Sequence, residues 1–208
     1  MIEHRRCFRD PIPEIYESAE LLNKALIFHL KNETRKTKEL LLKADMPVIR
    51  DWTESIWGAK SPYIKIRQVN NPKPRLKKNE RIETRMPDKK IKDELISRDG
   101  HNCVFCGIPV IRTEVRNQFK KLYPNEIPWG RKNIEQHSGF QAMWLQYDHL
   151  VPHSRGGDNN LDNIVITCAP CNFGRMEYTI EEVGLLNPFE RDRVKFKWNG
   201  LEDILIQI

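Results

Sequence analysis

Two C-x-x-C pairs are the feature that most restricts how this chain can fold. The pairs are Cys103/Cys106 and Cys168/Cys171, and Cys7 stands alone. Thiolates at this spacing are typical ligands of a tetrahedral zinc ion, which would join two distant segments of the chain. The plainer alternative is that the four cysteines are small buried apolar residues. We interpret them as a structural Zn²⁺ site and Cys7 as a free thiol.

The chain shows no feature of an exported or membrane protein. No run approaches the roughly 18 apolar residues that span a bilayer, and no apolar segment follows the charged residues 1–6. We therefore expect no signal peptide, no membrane span, a cytoplasmic location and no disulfide framework. Five Trp, eight Phe and five Tyr among 208 residues supply large apolar groups for a folded core.

Positive charge is concentrated in one segment. The net charge is +6 overall, but it is zero over residues 1–59, +9 over residues 60–92 and −3 over residues 93–208. Such a segment is either a solvated linker or a surface that contacts phosphate groups. The residues that we assign to nucleic-acid contact here are Lys73, Arg75, Lys77, Lys78, Arg81 and Arg85.

The chain is predicted to have three parts. Residues 1–74 form a mainly helical N-terminal region, residues 75–92 a basic linker, and residues 93–208 the functional domain. Apolar residues recur every three or four positions over 14–45, with a polar break in the middle, which predicts two helices. We interpret this apolar stripe as core, or as a packing surface for a second copy or a regulatory partner within residues 1–60.

The remaining elements are predicted from local patterns and turn residues. Pro170 and the glycines at 58, 100, 156 and 157 mark most of their boundaries. The expected elements are a short helix around Trp52 that ends at Gly58, a strand at 63–69, helices at 88–99, 111–123 and 131–146, strands at 145–154 and 161–167, a helix from Pro170, a strand at 194–198 and an apolar segment at 201–208.

A polar cluster lies between the two cysteine pairs. The strand that ends at Asp148 and His149 turns back and is followed by the helix that carries Asn172. Such a β-hairpin and helix can face these three side chains into one cleft. Aspartate and asparagine oxygens suit Mg²⁺ or Mn²⁺, and a neutral histidine beside them can take a proton from water.

These segments also form an ordered motif. The chain contains, in order, Cys103-x-x-Cys106, Asp148-His149-x-x-Pro152-x-Ser154-x-Gly156-Gly157, Leu161-Asp162-Asn163 and Cys168-x-x-Cys171-Asn172. The order resembles the HNH endonucleases, the ββα-metal nuclease family, in their form with a four-cysteine zinc site. The resemblance implies an α+β fold with a ββα-metal core. Two helices within residues 111–146 would be an insertion into that core.

The resemblance also implies roles for individual residues. His149 would be the general base. Asn163 would brace the hairpin and thereby position His149. Asp148 and Asn172 would hold the catalytic Mg²⁺ or Mn²⁺. The family often has Lys-Gly after the last motif, whereas this chain has Phe173-Gly174-Arg175. The further residues that we assign to nucleic-acid contact are His153, Arg155 and Arg175.

The leading hypothesis is therefore a metal-dependent DNA endonuclease, by family analogy of a bacterial or phage restriction or defence type. One alternative is a zinc-stabilised DNA-binding module without catalysis, and another is a nuclease subunit that a partner protein controls. A zinc-dependent deaminase would need H-x-E and P-C-x-x-C. In this chain Val151 stands where H-x-E after His149 would need glutamate, and Thr167 stands where P-C-x-x-C would need proline. We therefore set the deaminase class aside.

Overall fold

The computed structural model describes residues 5–57, 60–193 and 197–206. Within these ranges the chain forms seven α-helices and one two-stranded antiparallel sheet, which confirms the predicted α+β class. The elements are α1 (Pro13–Leu30), α2 (Thr34–Lys43), α3 (Pro47–Ile56), α4 (Lys89–Asp99), α5 (Thr113–Leu122), α6 (Ser138–Ala142), β1 (Leu145–His149), β2 (Ile164–Cys168) and α7 (Ala169–Arg175). Short 3₁₀ turns lie at Lys78–Glu80, Asn133–Glu135, His153–Arg155 and Glu202–Leu205.

The N-terminal region is helical, as the apolar period predicts. Proline begins α1 and α3, where its missing N–H removes no helical hydrogen bond. The predicted break falls between α1 and α2, where Asn32 has a φ of 59°. Trp52 is buried on α3, and its indole N–H donates to the Asp10 carbonyl at 2.8 Å. Helix α3 ends at Ile56. Gly58, where we expected this helix to end, lies outside the described residues.

Two predicted elements are wrong. Residues 63–69 form no strand, although Arg67 N donates to the Glu182 carbonyl at 2.7 Å. The helix expected at 131–146 is only the 3₁₀ turn and the five-residue α6, because the chain becomes extended at Leu145. Phe140 and Ala142 are buried on the short helix and Leu145 on the strand, while Ile134 is exposed, so the apolar residues of this stretch do not share one helix face.

The hairpin and the helix after it form as predicted. β1 and β2 pair antiparallel, with Leu145 opposite Cys168 and His149 opposite Ile164. All five residues of β2 are buried, and α7 follows β2 directly and packs against both strands. Asp88 caps α4 by accepting from Ile91 N at 2.9 Å, so the helix expected over 88–99 is confirmed.

The buried apolar residues form one cluster that includes both the N-terminal helices and the hairpin. Helix α3 packs against α6 and α7, and α1 packs against α6. The division at residues 74 and 92 stays a prediction, but the N-terminal helices contribute directly to the core beside the hairpin.

The C-terminal residues pack back onto the chain. Residues 194–196 of the predicted strand at 194–198 lie outside the described residues, as do residues 207–208. Trp198 donates its indole N–H to the Val110 carbonyl at 3.0 Å. Among the helices that the structure describes, none combines the length and the apolar character needed to cross a bilayer.

Candidate active site and metal centre

Four cysteines from two distant segments converge on one buried point. The Sγ atoms of Cys103, Cys106, Cys168 and Cys171 all lie within 4.8 Å of one another, and Cys106 and Cys168 are 3.6 Å apart. A tetrahedron of sulfurs about 2.3 Å from zinc has S–S separations of about 3.8 Å. The cluster is therefore positioned to hold a metal ion, and four thiolates favour zinc.

Backbone hydrogen bonds position the two halves of this centre. Cys103 N donates to the Ile108 carbonyl and Gly107 N to the Cys103 carbonyl, both at 2.9 Å. Gly107 adopts a φ of 81°, a region that favours glycine. Val104 N donates to the Ile166 carbonyl of β2 at 2.9 Å, so the first cysteine loop is attached to the hairpin.

Cys7 is not part of the metal centre. Its Sγ lies 3.5 Å from the Arg9 carbonyl and 3.7 Å from Asp10 Oδ1. Burial raises the pKa of the Cys7 thiol to about 12, which keeps it protonated at neutral pH. This position agrees with the sequence-based interpretation of a free thiol.

A cleft of about 460 Å³ brings together three of the residues on which the site prediction depends. Asp148 and His149 end β1, and Asn172 lies in α7. The β1–β2 connection and the basic side chains around residue 81 complete the walls. The lining residues are Arg81, Arg85, Met86, Gln146, Tyr147, Asp148, His149, Pro152, His153, Ser154, Asn172, Phe173, Arg175, Met176 and Glu177.

His149 is held at the end of β1. It is 7% exposed, and its Nε2 lies 2.9 Å from Asn159 Oδ1. Burial lowers the pKa of the His149 imidazole, while the hydrogen bond with Asn159 and the Asp148 carboxylate oppose this shift. A lowered pKa keeps the ring neutral at pH 7, which is the state that can accept a proton.

Asp148 is 4% exposed and forms a buried ion pair with Arg175. Arg175 Nε donates to Asp148 Oδ2 at 3.1 Å, and Nη2 donates to Oδ1. Burial raises the pKa of the Asp148 carboxyl, and the adjacent guanidinium opposes that shift. The carboxylate oxygens face a cation of this chain, so a metal bound by Asp148 would share them with Arg175.

Arg175 itself requires a correction. We expected it to contact phosphate, but it is 1% exposed. Besides Asp148, its guanidinium donates to the carbonyls of His149, Leu150 and Tyr178. A buried carboxylate left without a partner is costly, which favours this pairing, and the sequence does not show that the two side chains meet.

Asn172 presents an oxygen to the cleft. Gln146 Nε2 donates to the Leu145 carbonyl at 3.0 Å, which leaves Gln146 Oε1 to accept from Asn172 Nδ2 at 3.3 Å. This contact uses the Nδ2 end of the Asn172 amide, so its Oδ1 atom remains available as an acceptor or a metal ligand. Asp148 and Asn172 together offer two oxygen ligands, a set that fits Mg²⁺ or Mn²⁺ with waters or phosphate oxygens completing the shell.

Asn163 lies at the start of the strand that returns to the core. Its Oδ1 accepts from Val151 N at 2.8 Å. Its Nδ2 donates to the Val151 carbonyl at 3.2 Å and to the Asp158 carbonyl at 2.9 Å. These bonds close the β1–β2 connection immediately after His149, which is the position in which a bracing residue would act.

The basic segment, defined here as residues 73–86, lies along this connection instead of standing free as a linker. Leu76 N donates to the Ser154 carbonyl at 2.8 Å, and His153 Nε2 donates to the Ile82 carbonyl at 3.0 Å. The segment is mostly exposed, and it forms one side of the cleft through Arg81, Arg85 and Met86.

The predicted nucleic-acid contacts fall into two groups. The side chains of Lys73, Lys77, Lys78 and Arg85 are exposed, and Arg85 lines the cleft. The others have partners within the chain. Arg75 pairs with Glu177, Arg81 donates to the Leu76 carbonyl at 2.7 Å, and Arg155 bonds Glu182 Oε1 at 2.6 Å.

Sequence reasoning missed two residues of the site. Asn159 contacts His149, and Gln146 orients Asn172. Asn159 is the second residue after the Gly156-Gly157 turn, where asparagine is an ordinary loop residue. No spacing rule distinguishes it from Asn160, so only the three-dimensional contact identifies it.

Comparison with known families agrees with the motif. Residues 132–174 match the HNH endonuclease family model. The match includes Asp148, His149, Asn163 and Asn172 and the second cysteine pair, and it does not extend to the first pair. No curated protein and no solved structure matches the chain significantly. The matched segment, which includes part of the cleft, is therefore similar to the HNH endonucleases, while the rest of the chain is described by its own structure.

We predict that the purified protein contains one tightly bound zinc per chain. Cys103→Ala should lose the metal and give largely misfolded protein, because a structural zinc contributes its binding free energy to folding. Cys7→Ala is the matched control, since Cys7 is also buried but lies outside the cluster. Elemental analysis with circular dichroism measures both. A folded wild-type protein without metal would contradict the assignment.

We also predict that Arg175→Ala lowers the free energy of unfolding by about 3–5 kcal/mol, because it leaves the buried Asp148 carboxylate unpaired. Arg85→Ala, at an exposed position of the same cleft, should change that free energy by no more than about 0.5 kcal/mol. Urea denaturation of the two variants measures the difference. Equal stabilities would mean that Arg175 is a surface residue in solution.

Proposed function

We propose that this protein is a metal-dependent DNA endonuclease that hydrolyses phosphodiester bonds. The observation that carries the proposal is the cleft itself, where His149 lies with Asp148 and Asn172 and where Arg81 and Arg85 line one wall. Burial lowers the pKa of His149, which favours the neutral ring. A neutral base, a site for a divalent cation and a positive surface are what hydrolysis of a phosphodiester requires.

His149 takes the proton from the water that attacks phosphorus, the bond from phosphorus to the 3′ oxygen breaks, and the leaving 3′ oxygen takes a proton from solvent water in the cleft. A bound Mg²⁺ or Mn²⁺ supplies electrostatic stabilisation to the phosphate and the leaving oxygen. Asp148 and Asn172 would hold that cation, and Asn163 keeps the connection after His149 closed. The family resemblance implies products with 5′-phosphate and 3′-hydroxyl ends.

The remaining parts of the chain support this reaction. Zn²⁺ held by the four cysteines would be structural, since the thiols are buried and all four would be ligands. In this proposal DNA phosphates contact the exposed lysines of the basic segment, whose residues Arg81 and Arg85 line the cleft. A restriction or defence role follows from family analogy alone, and a cytoplasmic location is the expectation from the sequence.

One observation favours the second candidate, a zinc-stabilised DNA-binding module without catalysis. Asp148 is already paired with Arg175, which competes with a divalent cation for the same oxygens.

Control by a second copy or a regulatory partner through residues 1–60 is a third hypothesis. Most apolar residues of α1 and α3 are buried in the core, while Ile27, Leu30 and Leu42 are exposed. Cleavage of supercoiled DNA, with and without Mg²⁺ or Mn²⁺, separates catalysis from binding alone.

We expect His149→Ala to lower the cleavage rate by about 10²–10⁴-fold, the range for loss of a general base. DNA affinity and zinc content should persist, because His149 contacts neither the zinc cluster nor the basic lysines. The matched control is His29→Ala, which removes a partly buried histidine whose partner is Tyr123. Gel assays of plasmid nicking measure the rate. A His149→Ala protein with full activity would falsify the assignment of this cleft.

Asn172→Ala tests the cation site without disturbing the buried ion pair. It removes one oxygen ligand, so we expect cleavage to require much higher Mg²⁺, with partial recovery in excess Mn²⁺. Titration of the cleavage rate against each metal measures the shift. An unchanged metal dependence would remove Asn172 from the ligand set.

The basic segment generates a separate prediction. Replacing Lys77 and Lys78 by Gln should weaken binding of all DNA sequences alike and reduce the slope of log K against log salt by about one per lost contact. Lys24→Gln with Lys43→Gln is the control, since these lysines are equally exposed but lie on α1 and α2. Fluorescence anisotropy at several salt concentrations measures the slopes. If the two double variants have the same slope as the wild type, the segment is only solvated.

A further inference from the structure

The side chain of Asn159 joins the predicted base to the basic segment. Asn159 Oδ1 lies 2.9 Å from His149 Nε2, and Asn159 Nδ2 lies 2.8 Å from the Thr84 carbonyl oxygen. One amide thus contacts the end of β1 on one side and the backbone of the basic segment on the other. Neither contact is predicted by the HNH motif as the chain matches it.

The Thr84 carbonyl determines which way this amide faces. A backbone carbonyl can only accept a hydrogen bond, so the NH₂ group of Asn159 must be the end that points to it. The Asn159 oxygen then points to His149 Nε2. An amide oxygen is only an acceptor, and therefore Nε2 must carry the hydrogen in that contact.

The loop around Asn159 is held in place. Asn163 Nδ2 donates to the Asp158 carbonyl at 2.9 Å, directly before Asn159. Asp158 Oδ1 accepts from Asn160 N at 3.2 Å, directly after it. Gly157 packs against Val151 so closely that a Cβ at position 157 would collide with the Val151 carbonyl. The amide is therefore presented to His149 from a constrained backbone.

We propose that Asn159 is a positioning residue that selects the Nε2–H tautomer of His149 and leaves Nδ1 as the nitrogen that accepts the proton. A neutral imidazole has one donor and one acceptor nitrogen, so the partner of Nε2 decides the state of Nδ1. The role of Asn159 in catalysis rests on the proposed function. The tautomer assignment rests only on the contacts of the amide.

The first experiment separates positioning from binding. In the full-length, zinc-containing protein, Asn159→Ala should lower kcat for plasmid nicking about 10- to 100-fold, less than the loss of the base itself, with KM for DNA unchanged. Asn160→Ala is the matched control, because its neighbouring amide is exposed and bonds Asp158 instead of His149. A raised KM with unchanged kcat would overturn the proposal and make Asn159 a DNA contact.

The second experiment reads the tautomer without any activity. Long-range ¹H–¹⁵N correlation spectra of protein labelled at histidine report which ring nitrogen is protonated, and His149→Ala assigns the signals. We expect a protonated Nε2 and an unprotonated Nδ1 at His149 in wild type and in Asn160→Ala, and a mixture of both tautomers in Asn159→Ala.

The outcomes distinguish the two proposals. If the wild-type protein nicks no DNA but has a protonated Nε2 on His149, the proposed function and the catalytic role of Asn159 are refuted, while the tautomer assignment is supported. A protonated Nδ1 in wild type would overturn the inference. A protonated Nε2 in Asn159→Ala with unchanged kcat would overturn it as well.

Discussion

The convergence of four thiols from two segments is the constraint on which the rest of the structure depends. A hairpin of two five-residue strands is at best marginally stable alone. Cys103 and Cys106 attach the loop after α4 to the end of β2 and the start of α7, and the Val104–Ile166 hydrogen bond lies beside that junction. A metal at this point would fix the position of β2 relative to α7. β2 pairs with β1, which carries Asp148, and α7 carries Asn172.

The cleft combines two physical requirements that oppose one another. Buried groups stabilise a fold when they are paired, which Arg175 does for Asp148, whereas a cation site needs oxygen atoms that are free to bind. The chain resolves part of this conflict by using amides. Asn172, Asn163 and Asn159 are neutral, and each has both ends available for defined hydrogen bonds, so they orient the site without adding buried charge.

The basic segment has backbone contacts that composition alone does not predict. Its charge fits either a solvated linker or a surface that contacts phosphate groups, and its residues are mostly exposed. Its backbone, however, bonds Ser154, His153 and Asn159 on the β1–β2 connection and forms a wall of the cleft. The charge therefore lies beside the predicted base, where it can hold a phosphate backbone next to His149.

Local sequence determined the elements whose signals are local. Each of these signals spans only a few residues. They are the cysteine spacing, the D-H and L-D-N motifs, the prolines that begin α1 and α3, and the cap at Asp88. In the structure they correspond to the hairpin, the helices and the cysteine cluster. The strand expected at 63–69 does not form, and its residues are exposed or half-buried. The long helix expected at 131–146 is interrupted because the chain becomes extended at Leu145, which pairs with Cys168 of β2. Only the tertiary structure decided that Arg175 pairs with Asp148, that Asn159 contacts His149, and that the basic segment lines the cleft. Each of these contacts joins residues 10 or more positions apart in the sequence. The fold determines which polar groups are buried next to one another. A buried polar group forms its hydrogen bonds with those neighbours, because leaving it without a partner costs free energy.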